Sequence, residues 1–103
     1  MVEKLRKIPK TFRKHGYDYK LLNRVGDMVL YQMVKEGLHG QILAYEVHKV
    51  RISTLDEKRR EFLHTSYARI EILASNEEFG RYGWTFSTLD TVYSRFPEFK
   101  GVI

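Results

Sequence analysis

Apolar positions follow two periods along this chain, and each period predicts a different kind of element. In Tyr17-Asp18-Tyr19-Lys20-Leu21 large apolar residues alternate with charged ones, the two-residue repeat of a half-buried strand that Gly16 opens. Val25-Gly26-Asp27 breaks the run at a residue free to take positive φ. Residues 28–34 are then almost wholly apolar, with Gln32 the strongly polar exception, which predicts a strand covered on both faces. Lys35-Glu36-Gly37-Leu38-His39-Gly40 holds two glycines and reads as a turn longer than the two-residue minimum. The longest strand spans residues 41–52, with Leu43, Tyr45 and Val47 on one face and Val50 and Ile52 on the other. The change of phase near His48 and Lys49 predicts a bulge, or a strand that leaves one sheet surface for another.

Beyond residue 53 the pattern is less uniform. Thr54-Leu55-Asp56-Glu57 has capping-box spacing, so residues 55–63 read either as a short helix or as a charged excursion between strands, the excursion being preferred. Residues 67–74 return to strand, with Arg69 and Glu71 alternating against Ala68, Ile70 and Ile72. Ser75-Asn76-Glu77-Glu78 starts about one helical turn, which Gly80 and Gly83 end before a strand at Trp84. In residues 87–96 the period becomes helical. Leu89, Val92, Tyr93 and Phe96 form one apolar stripe, and Pro97 stops it. The expected architecture is α+β: an antiparallel β-meander of about four strands, with one C-terminal amphipathic helix packed on the sheet. Leu89, Val92 and Phe96 should be buried against Tyr31, Tyr45 and Val47. Residues 1–15, where Pro9 keeps Ile8 out of helical geometry, read as a basic N-terminal arm, and residues 16–103 as a single small α+β domain.

Charge sharpens this division. The 103 residues carry a formal net charge of +5. Residues 1–24 hold eight basic and two acidic side chains, and the rest ten basic and eleven acidic. Lys4, Arg6, Lys7, Lys10, Arg13 and Lys14 could therefore contact phosphates, meet an acidic protein surface, or simply keep a small domain soluble. There is no cysteine, which removes disulfides, thiolate metal sites and thiol catalysis. No apolar run is long enough for a membrane span, and the start Met-Val-Glu-Lys lacks an export signal's apolar core.

Candidate chemistry is sparse. His15, His39, His48 and His64 form no metal-ligand pair, and neither a nucleophile elbow nor a phosphate loop is present. No cofactor or metal is expected, and no catalytic residue can be named. Asp56-Glu57 and Glu77-Glu78 sit where helix starts favour carboxylates. Glu46 points away from its neighbours Tyr45 and Val47. If that face is covered, a Lys or Arg from an adjoining strand should pair with it; otherwise it meets solvent. Tyr17, Tyr19, Tyr31 and Tyr45 could stack bases beside the basic segment, or pack across strands. Phe79, Trp84 and Phe86 can complete a core with the helix stripe. Tyr82, between Arg81 and Gly83, is expected to be partly exposed and to form a protein-binding patch with Arg81.

Pro9-Lys10-Thr11-Phe12, Gly16, Tyr19, Leu30-Tyr31 and Tyr45-Glu46-Val47-His48 are followed by Ser75-Asn76-Glu77-Glu78-Phe79-Gly80 and Gly83-Trp84-Thr85-Phe86. Together, over about residues 9–96, they resemble small uncharacterised accessory proteins of tailed bacteriophages and related mobile elements. The resemblance implies a phage-encoded protein of the bacterial cytoplasm and transfers no activity. The function expected is a non-enzymatic binding module that engages a host or viral protein. Alternatives are a nucleic-acid-binding accessory protein using the basic segment, and a virion assembly protein using the meander's edge strand.

Overall fold

The structure, a computed structural model, describes residues 5–62 and 67–100 and consists mostly of antiparallel strand. The strands are β1 (Leu5–Arg6), β2 (Thr11–Lys14), β3 (Tyr17–Val25), β4 (Met28–Gly37), β5 (Gly40–Lys49), β6 (Arg51–Thr54), β7 (Arg69–Ile72) and β8 (Gly83–Phe86). The helices are α1 (Glu57–Phe62) and α2 (Leu89–Arg95), with 3-10 turns at Asn76–Glu78 and Pro97–Phe99. A five-stranded sheet has the order β2-β3-β4-β5-β8, and a three-stranded sheet has the order β1-β7-β6. The α+β class and its antiparallel character match expectation. The arrangement is richer than a four-strand meander with one helix, because β8 extends the first sheet and the second sheet was not foreseen.

The N-terminal segment is the largest departure. Over residues 5–14 it is not an arm: β1 pairs parallel with β7, Leu5 opposite Arg69, and β2 pairs antiparallel with β3. His15 and Gly16 both take positive φ, 53° and 81°, the geometry that matches a two-residue turn to the twist of its strands. Between the two short strands, Ile8 is buried among Tyr19, Val29, Tyr31, Met33 and Val50.

Residues 28–34 are covered on both faces as their composition predicts: Val29, Leu30 and Tyr31 expose 0%, 2% and 0% of their surface. Val29 and Tyr31 join the cluster around Ile8, whereas Leu30 joins Tyr45, Val47, Val92 and Phe99 on the other side. Helix α2 therefore meets Tyr45 and Val47 but not Tyr31, whose side chain alternates to the opposite face. Thr88 caps α2 by accepting the Thr91 N–H at 3.3 Å. In β3 the register slips between Leu21 and Asn23, a bulge that extrudes Leu22 and moves Val25 to the helix side.

The phase change near His48 is a passage between sheets. Strand β5 ends at Lys49, Val50 donates its N–H to the Asp27 carbonyl at 2.6 Å, and β6 begins in the other sheet. The preferred excursion gives way to the helical alternative over α1, which carries no buried residue, while residue 63 lies outside the described residues. Asp56 caps α1 by accepting the Arg59 N–H at 2.8 Å. The turn between β4 and β5 is shorter than expected, because Gly37 and Gly40 pair directly and leave only Leu38 and His39 at the tip. This hairpin outruns its neighbours. β3 reaches only Val34 of β4, and β8 reaches only residues 45–48 of β5. Among the described residues, no helix is long and apolar enough to cross a membrane.

Candidate protein-binding site

Alternation along β5 sets Glu46 and His48 on the face of the Ile8 cluster, and both are buried. Glu46 accepts from the Tyr19 hydroxyl at 2.9 Å and faces His48 Nε2 at 2.8 Å, while the Ala74 N–H donates to His48 Nδ1 at 3.1 Å. A backbone donor on Nδ1 leaves the ring proton on Nε2, where it donates to the Glu46 carboxylate. Sequence alone allows Glu46 either solvent or a basic partner; its partners are instead a phenol and an imidazole. Burial, and then the Glu46 charge, push the Tyr19 phenol well above its usual range. The pocket around His48 is closed. Phe79 meets the ring edge-on with centroids 5.5 Å apart, and a Cβ on Gly83 would lie 2.8 Å from that of Ala74. A general base needs an accessible lone pair, and neither ring nitrogen offers one. This constellation holds the sheet together.

A second link, partly open to solvent, joins the two sheets. The Arg24 guanidinium on β3 grips Glu71 on β7 through two hydrogen bonds of 2.8 and 2.6 Å, and Glu71 also accepts the Ile8 N–H at 3.1 Å. That guanidinium holds the Glu71 carboxyl below the usual carboxylate range. Tyr31 donates to the Pro9 carbonyl at 2.6 Å, and burial pushes its phenol up to about 12.

The aromatic turn ahead of β8 is different, because it opens to solvent. Glu78 accepts from the N–H and hydroxyl of Ser75 at 3.0 Å each and pairs with the Arg51 guanidinium. The Ser75 N–H, then Arg51, keep its carboxyl below the ordinary value. So anchored, Arg51 lies 4.3 Å from the Tyr82 ring centroid, and Arg81 lies 5.5 Å from it. Tyr82 is half-buried and Arg81 exposed; the Tyr82 carbonyl accepts the Lys49 N–H at 2.9 Å. The structure thus brings together the two residues expected here and adds Arg51. No local pattern pairs Arg51 with Tyr82, because the contact depends on the passage from β5 to β6. Trp84 and Phe86 join the helix stripe as expected, lying 5.0 and 6.1 Å from Phe96 between ring centroids, whereas Phe79 packs on His48 instead.

The basic segment forms no single strip. Lys4 lies outside the described residues. Arg6 is on β1, Lys7 and Lys10 lie between the sheets' first strands, and Arg13 and Lys14 alternate to opposite faces of β2; all five are exposed. Nor is there a tyrosine platform. Tyr19, Tyr31 and Tyr45 are buried, and Tyr45 is on the other side of the sheet from the first two. Phe12 stacks on Tyr19 with centroids 4.4 Å apart, occupying the face a base would need. Among the described residues, no three His, Asp or Glu side chains cluster as metal ligands would. No family model, curated protein or solved structure matches the chain.

Proposed function

We propose that this chain is a non-enzymatic binding module that engages an acidic surface of a host or viral protein through Arg51, Tyr82 and Arg81. One observation carries the reading: a half-exposed tyrosine ring has two guanidiniums over it, one of them paired with Glu78. Tyrosine and arginine dominate the energetics of protein interfaces, and a ring already held in place loses little freedom when a partner docks. The exposed Arg81 and the neighbouring Lys49 give the surface a positive rim suited to carboxylates. Resemblance to phage accessory proteins supplies the context of a bacterial host. Nucleic acid is a poorer fit, because the exposed cations are divided between two sheets and the aromatic rings of the face are covered.

Arg81→Glu tests the proposal, since the side chain is exposed and its reversal should shift the melting point by no more than about 2 °C. Immobilised parent and variant are exposed to bacterial lysate. The parent should retain an acidic protein that salt elutes, and the variant should lose it. Equal retention by both overturns this assignment.

A further inference from the structure

The free part of β5 is unlike the two outer edges of its own sheet. The β2 edge carries Arg13 and Lys14, and the β8 edge is closed at Gly83 by a bridge to Phe79 and by the Gly80 N–H, which donates to the Gly83 carbonyl at 2.7 Å. By contrast Gly40-Gln41-Ile42-Leu43-Ala44 has no charge, no proline and no bulge, the devices that ordinarily protect an edge. Its apolar side chains are open to water on both faces, Ile42 at 46% and Leu43 at 47% exposure, with Leu38 at 96% on the tip.

We infer that this edge pairs with the same edge of a second copy of the chain, antiparallel about a two-fold axis at Ile42. The ladder with β4, counted from the Gly37–Gly40 pair, turns the N–H and C=O of Gln41 and Leu43 outward. These two residues flank Ile42 symmetrically. Setting Ile42 opposite its copy therefore places each Gln41 against the other Leu43, and all four outward groups of each chain find partners. Register is limited on both sides, by Phe86 opposite Tyr45 and by the turn at Leu38 and His39. Charge selects the occupant. The chain carries +5, but residues 35–44 hold only Lys35 and Glu36 as charged groups, so two like-charged copies can approach here without repulsion. The Arg51–Tyr82–Arg81 surface lies toward the other end of β5, at Lys49, so the inference is independent of the proposed function.

The absence of cysteine makes a direct test possible. In a non-hydrogen-bonded antiparallel pair, Cα atoms are about 4.5 Å apart, within the range a disulfide can bridge. Ile42→Cys should form a covalent dimer under mild oxidation much faster than Leu38→Cys, a control on the tip that is more accessible than Ile42. In sedimentation, the parent's mass should double as concentration rises, and Leu43→Lys should restore the single-chain mass. A parent that stays monomeric into the millimolar range overturns the inference. So does a dimer that persists in Leu43→Lys, or cross-linking of Ile42→Cys no faster than the control.

Discussion

Glu46 is the residue whose surroundings do most to define the interior, because two donors depend on it. Replacing it by Ala leaves the Tyr19 hydroxyl and His48 Nε2–H without an acceptor in a closed site. The expected cost is about 2–4 kcal/mol in denaturant unfolding, whereas Glu46→Gln, which retains an acceptor oxygen, should cost less than half as much. Glu71 and Glu78 tie stability to acid. The Glu71 and Glu78 values lie lower in the folded chain than in the unfolded one. Their contribution is therefore fully present above the unfolded carboxylate value of about 4.3 and disappears as pH falls through the native values. Unfolding midpoints measured across this range should decline with acid, and Glu71→Gln should flatten the decline. Glu46 illustrates what local pattern can disclose. Alternation assigns it a face, but its partners come from β3 and from two positions along its own strand, so their identity depends on tertiary pairing.

Helix α2 is the element most legible from sequence, since its cap, stripe and stop are all local. Leu89, Val92, Tyr93 and Phe96 do face the sheet, with Val92 fully buried beside Tyr45 and Val47. Val92→Asp should cost about 3–5 kcal/mol in thermal melting, because the carboxylate would enter an apolar seam without a partner. Thr88→Ala should cost about 1 kcal/mol through loss of the Thr91 N–H acceptor. Strands β3 and β5 are similarly legible from their alternation over most of their length, and β4 from its unbroken apolar run. Strand β1 was not: two residues have no readable period, and its partner β7 lies far along the chain. The bulge at Leu22 also left no mark, because Leu21-Leu22 is apolar in either register. Tyr31 packs on the face opposite the helix, which a run apolar on both faces does not disclose, since it does not say which residue points where.

At the scale of the whole molecule, the two sheets depend on the N-terminal segment. Deleting residues 1–9 removes β1, the buried Ile8, the Pro9 carbonyl that Tyr31 uses and one donor to Glu71. The truncated chain should lose cooperative unfolding or melt well below the parent, as circular dichroism during heating would show. An arm would leave melting unchanged, so the same experiment separates the two descriptions. The clasp among Ile8, Glu71 and Arg24 also bears on synthesis. Ile8 and Glu71 are 63 positions apart in the chain. A ribosome releases the first residues long before Glu71 leaves its tunnel, so the hairpins of β2 to β5 can assemble while β1 still waits for its neighbour. Closure of the smaller sheet then follows assembly of those hairpins, and a translational pause before residue 71 would hold the nascent protein open.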